Sequence, residues 1–202
     1  MSDPTARDPR PPIPLHAHAA DDLRYIRSTL ERATAFTSIS GWGEVAVGLT
    51  ALGAAAFTWR LADPDRWLVA WLFEASIAMA LSVGAAALKA QRLRVALFGV
   101  AGQRFALAFA APAVTGAVLT VALVRSGQFS LLPGMWLLTY GAAVASGGAF
   151  SVRPVPLLGA VCIACGIGAV ATPAAWSTAW LAAGFGLAHV GFGWWIARRH
   201  GG

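Results

Sequence analysis

Charge is what this chain has least of. Lys, Arg, Asp and Glu make up 12% of its 202 residues, 57% are hydrophobic, and the mean hydropathy is +0.64. Soluble domains carry about a quarter charged residues. A water-soluble fold of this length has no interior large enough for so much apolar surface, so a bilayer must solvate most of the chain. Catalytic templates are missing as well. There is no G-x-S-x-G, no H-E-x-x-H, no G-x-x-x-x-G-K-[ST] and no acidic pair at catalytic spacing, which removes the recognisable hydrolase, zincin and P-loop readings. An enzyme is therefore not expected, nor a bound cofactor or metal centre. No nucleic-acid-reading module is present, and the net charge of +6 is read as sorting of loops across a membrane. The first 40 residues are polar and proline-bearing, so no secretory signal peptide is expected.

What is present is a series of apolar runs, at about 43–59, 67–88, 105–124, 131–150, 155–172 and 176–197. Each approaches the roughly 20 residues that a hydrocarbon core requires of a helix. The runs are continuous rather than alternating, which disfavours a barrel. The expected fold is all-α: a polytopic bundle of six transmembrane helices as three hairpins, preceded by a cytoplasmic amphipathic helix. Twelve of the fifteen basic residues fall on one side of that threading, and Arg60, Arg66 and Arg125 on the other. Both termini are then expected in the cytoplasm.

Ahead of the spans, residues 1–18 hold five prolines in a polar setting and are expected to be disordered. Residues 19–36 read as a helix that continues into a lead-in ending at residue 40. Asp21 and Asp22 suit its N-terminal end, and Leu23, Ile26, Leu30 and Ala33 recur at helical spacing. It suits the cytoplasmic interface of the bilayer, the bundle itself, or a protein partner. The connection KAQRLRVALFGVAGQRF reads as an interfacial turn into the third span. Residues 41–202 form the transmembrane domain.

One phrase occurs twice. P-x-x-W-x-x-A-W-L spans 64–72 and again 173–181, and Pro133–Trp136 gives a shorter echo. Proline fits a first helical turn, and tryptophan fits the headgroup level. Trp67, Trp71, Trp136, Trp176 and Trp180 are accordingly expected as interface anchors. The longer match, at an offset of 109 residues, also admits a duplicated hairpin running in the same direction.

Three strongly polar side chains interrupt the apolar spans: Glu44, Glu74 and His189. Glu74 lies ten residues beyond Pro64, about 15 Å deep at helical rise. A carboxyl there marks an ion path or proton site, or else a protonated acid bonded across helices. Glu44 lies near a span end, where a charge is cheap. His189 sits between two G-F-G triplets and reads either as part of an ion site or as a packing histidine; haem would want a second axial ligand, and no other histidine falls within a span. Cys162 and Cys165 form C-x-x-C on one helical face, at a depth comparable to His189, which permits a thiol redox pair or thiol–imidazole site without requiring one. Pro112 is expected to kink the third span.

The stretch AADDLRYIRSTLERATAFTSISGWGEVAVG, together with the ending FGWWIARRHGG, resembles a group of bacterial six-span integral membrane proteins of unknown function. The resemblance implies the fold and no activity. Three functions follow as expectations. The first is a non-enzymatic membrane protein acting by association with a protein partner or within a complex, in the lipid bilayer. The second is a small proton- or cation-coupled transporter or channel using Glu74, with Glu44 and His189. The third is a thiol redox or metal protein using Cys162 and Cys165.

Overall fold

The computed structural model describes residues 36–200, which are entirely helical apart from turns and one isolated bridge. Six helices follow one another: α1 (Gly41–Thr58), α2 (Pro64–Leu93), α3 (Val100–Arg125), α4 (Leu132–Gly148), α5 (Pro154–Ala171) and α6 (Ala174–His200). All but α1 are long and apolar enough to cross a membrane. Glu44, Trp42 and four glycines dilute α1. The 1–18 segment and nearly all of the amphipathic stretch 19–36 lie outside the described residues. Phe36, its last member, is extended rather than helical. It donates from N to Phe150 O at 2.6 Å and accepts from Ser151 Oγ at 2.6 Å.

The helix boundaries follow local chemistry. Ser40 caps α1 by accepting from Gly43 N, and Asp63 caps α2 by accepting from Asp65 N and Arg66 N, with Pro64 in the first turn. The helix α2 runs on to Leu93, past the apolar stretch, because Lys89, Gln91 and Arg92 are good helix formers. It stops at Arg94, whose φ of +53° is left-handed. The connection expected to reach span three therefore shrinks to Val95–Gly99, and Arg104 lies within α3 rather than in a turn. Pro112 is inside α3, which continues through to Arg125.

Two helix pairs pack through glycines at heptad spacing. On α4 these are Gly134, Gly141 and Gly148, and on α5 Gly159 and Gly166; α1 contributes Gly41 and Gly48, and α6 Gly186 and Gly193. Seven residues make nearly two turns, so each set lies along one face. A Cβ on Gly141 would lie 2.7 Å from Gly159 O, and one on Gly48 would lie 2.7 Å from Gly186 O. Backbones meet there directly, the contact that small residues permit in lipid. The peripheral helices are α2 and α3, whose apolar windows are 11% and 6% buried, against 39–44% for the other three spans.

Each of the three successive pairs α1/α2, α3/α4 and α5/α6 is closed by the same device. Trp71 Nε1 donates to Thr58 Oγ1 at 3.2 Å, Trp136 Nε1 to Thr120 Oγ1 at 2.8 Å, and Trp180 Nε1 to Thr172 Oγ1 at 2.9 Å. Every one of those threonines in turn donates to the carbonyl four residues earlier, Ala54, Gly116 and Gly168 respectively. One hydroxyl thus accepts from the next helix and donates to its own, with both groups satisfied. The repeated tryptophan words supply the donors. Replacing Thr58, Thr120 or Thr172 by valine keeps the shape and removes the acceptor. Each change is expected to cost about 0.6 kcal/mol, the average for intramembrane side-chain bonds. Trp67 packs against both Trp71 and Trp136, so the first two clasps share a neighbour and the triple variant is expected to depart from simple addition. Unfolding midpoints in a graded detergent series measure this, and serine at the same positions should restore them.

Candidate functional site: a polar seam and a histidine centre

The face of α1 that meets α2 carries Glu44, Thr50 and Thr58; the opposing face of α2 carries Trp71, Glu74, Ser82 and Lys89. Steps of three, eight and seven residues keep the α2 set on one side of that helix. They meet in four rungs. Lys89 Nζ donates to Ile39 O and to His200 O, both at 2.9 Å. Ser82 Oγ donates to Glu44 Oε1 at 2.9 Å. Thr50 Oγ1 stands 2.9 Å from Glu74 Oε1, and Trp71 closes the seam on Thr58. Along α1 the Glu44 and Thr50 rungs are about 9 Å apart. Because one of its acceptors is the last carbonyl of α6, the Lys89 ammonium also complements the negative end of that helix.

Glu44 is 9% exposed and Glu74 is 7% exposed. In lipid, a buried carboxyl is tolerated only where it finds partners. Here the partners are hydroxyls contributed by the facing helix. Neither carboxyl forms an ion pair among the described residues.

The second centre lies on α6. Residues Ala182–Ala188 form a π-helical stretch, a wider coil often found at functional sites. His189 follows it and is almost fully buried. Its Nδ1 is 3.0 Å from Gly184 O, and Tyr140 Oη is 2.7 Å from its Nε2. A carbonyl only accepts, so Nδ1 carries the hydrogen. In the neutral imidazole Nε2 is then the acceptor, and the Tyr140 hydroxyl donates to it. Phe109 and Phe185 meet the Tyr140 ring edge-on, at 86° and 84°. The Cys162 thiol reaches the same Gly184 carbonyl at 3.6 Å. Glu44 on α1 is near enough to act electrostatically on both Tyr140 and His189.

The structure therefore brings His189 and Cys162 onto one carbonyl and places the two cysteines in different hydrophobic clusters. Cys162 packs with Val144, Val155, Leu158 and Ile196, whereas Cys165 packs with Trp71, Leu137 and Leu181. Both are free. Each nitrogen of His189 already has a partner, so a thiol–imidazole site would have to break one of those bonds. No group of three or more His, Cys, Asp or Glu side chains converges among the described residues. Of the five tryptophans, Trp176 is well exposed, and Trp67 stacks on Trp136 at 5.5 Å between α2 and α4. Trp71 is buried, and Trp71, Trp136 and Trp180 hold the threonine clasps. A cleft of about 130 Å³ at the tryptophan end, bordered by Ser130, Gly134, Val170 and Thr172, holds no titratable side chain.

Sequence reasoning passed over Tyr140, Thr50, Ser82 and Lys89. Hydroxyl residues are ordinary in apolar helices, and only their register against Glu44 and Glu74 makes them partners. A usable signal was that Tyr140 is one of only two tyrosines in the chain. Compared with protein-family models, curated proteins and solved structures, the chain finds no match in any of the three.

Proposed function

We propose that this is a non-enzymatic integral membrane protein that acts by association, binding a protein partner or serving as a subunit of a membrane complex. One observation carries the reading: among the described residues, no buried side-chain nitrogen or oxygen lacks a hydrogen-bond partner. Around His189 the groups able to do chemistry are consumed in holding helices together. Both nitrogens of His189, the Tyr140 hydroxyl and the Cys162 thiol are engaged within the bundle. No nucleophile is left beside a free base.

In this reading α1 is a sixth span. At 18 residues it extends about 27 Å, and its glycine face lies against α6 while its polar face is shielded by α2. Six spans as three hairpins return both ends to the side that holds most of the basic residues, the cytoplasmic side of a bacterial inner membrane. The partner-binding element is the amphipathic stretch 19–36. The test is a pull-down after native solubilisation, comparing the full chain with a version lacking residues 1–35. That version keeps Phe36, which is bonded to Phe150 and Ser151. Loss of a reproducible partner with membrane insertion intact is the expected result. Undiminished recovery would remove the assignment.

A further inference from the structure

We propose that Glu74 is a proton-binding site, carrying an exchangeable proton in the N-terminal half of α2; this goes beyond the association reading and does not depend on it. The argument begins with one hydrogen. Thr50 Oγ1 is 2.9 Å from Val47 O and 2.9 Å from Glu74 Oε1. A hydroxyl has a single hydrogen to give. Val47 O can only accept, so when Thr50 bonds it, the short contact to Glu74 is satisfied by a hydrogen from the carboxylic acid. The hydroxyl then donates to its own helix and accepts from the neighbouring one, as the three clasp threonines do.

The other acidic rung differs. Ser82 Oγ has Glu44 Oε1 as its hydrogen-bond acceptor, and so can give its hydrogen to an ionised carboxylate. The two glutamates of the seam thus differ in setting: Ser82 has no second acceptor competing for its hydrogen, whereas Thr50 has Val47 O.

Exchange requires access. Glu74 Oε2 has no hydrogen-bond partner, yet no fully enclosed side-chain oxygen among the described residues lacks one. That oxygen therefore keeps an opening at the rim of the α1–α2 seam, on a helix that is itself peripheral. The polar side chain facing the carboxyl from α1 is Thr50. Glu44, about 9 Å along α1, is the nearest acidic group on the seam, and no Lys, Arg or His pairs with Glu74 among the described residues. When the proton leaves, the carboxylate Oε1 becomes an acceptor. Thr50 then turns its hydrogen from Val47 O to Oε1. Proton loss is thus coupled to rotation of one side chain and release of one backbone carbonyl in α1.

The test uses the full chain in lipid vesicles and dicyclohexylcarbodiimide, which adds across a protonated carboxyl to leave an N-acylurea. Peptide mapping reads the product. The expected result is adduct on Glu74 in clear excess over any on Glu44. Its yield should fall as the medium becomes alkaline. E74Q should lack the adduct, and E44Q should retain it. Glu74 left unmodified in the native chain overturns the proposal whether or not the variants fold. Adduct with a yield indifferent to alkali also overturns it, because the proton would then not exchange.

Discussion

Valine at Gly159 is expected to disrupt the bundle, whereas alanine at Gly53 should leave it unchanged. The two glycines lie on apolar helices and look equivalent in the sequence. A Cβ at Gly159 would stand 2.5 Å from Ala145 N and 2.7 Å from Gly141 O, while one at Gly53 meets nothing within 4 Å. What obstructs Gly159 is backbone, which cannot swing aside as the tip of a side chain does. The helices α4 and α5 would have to separate, opening the contact also made at Gly141, Gly148 and Gly166. We expect a loss of about 3 kcal/mol or more, the upper end for overpacking. Gly48→Val should do the same between α1 and α6, since its Cβ would face Gly186 O and Val190 N at 2.7 Å. Gly84→Ala on α2, where nothing lies within 4 Å, is a second neutral control and should gain slightly in helix propensity. Detergent unfolding midpoints for the four variants decide the matter. Equal behaviour of Gly159→Val and Gly53→Ala would show that the heptad glycines do not set the packing.

That contrast marks where sequence was informative. Hydropathy located all six helices to within a few residues at most ends, because an apolar run in lipid has to close its own backbone hydrogen bonds. It failed at the start of α3 and the end of α2. There, Lys89–Leu93 and Val100–Arg104 extend the helices on propensity and capping after the apolar signal has ended. In the sequence the tryptophan words read as boundary residues, or as the trace of a duplicated hairpin. Their hydrogen-bond role depends on threonines 8, 13 and 16 residues earlier in the chain, and no fixed spacing announces such a pair. Glycines were read as close packing in general. The heptads on α1, α4, α5 and α6 were available in the sequence, yet which helix meets which is a tertiary fact. The grouping of candidate residues was legible in part. His189 and Cys162 were matched by depth and do converge on Gly184 O, but C-x-x-C alone did not reveal that Cys165 belongs to another cluster.

The same polar groups give the second large effect. His189→Leu removes the acceptor for Tyr140 and one of the donors to Gly184 O, leaving a phenol hydroxyl enclosed by Phe109 and Phe185 with nowhere to donate. An orphaned buried polar group costs about 1–3 kcal/mol, and this variant also leaves the Gly184 carbonyl to a weak thiol donor. Tyr140→Phe is milder. It strands only Nε2, which then faces aromatic carbon, and should cost about 1 kcal/mol. The informative measurement is the double variant. Once the hydroxyl is gone, replacing the histidine strands nothing on α4, so Tyr140→Phe with His189→Leu should be no less stable than His189→Leu alone. Non-additivity of about 1 kcal/mol or more is what directly bonded residues show. Simple addition of the two losses would mean that the 2.7 Å contact contributes nothing, and that the π-helical stretch, rather than the bond to Tyr140, holds the imidazole. The tautomer argument gives the choice between those outcomes its weight. With Nδ1–H committed to Gly184, Nε2 is the histidine's free acceptor and the phenol its natural donor, so α4 and α6 are joined at mid-bundle by one hydrogen. Glutamine at 189 offers a matching test, since its amide can accept from Tyr140 but cannot reproduce the five-residue reach back to Gly184; it should recover only part of the loss.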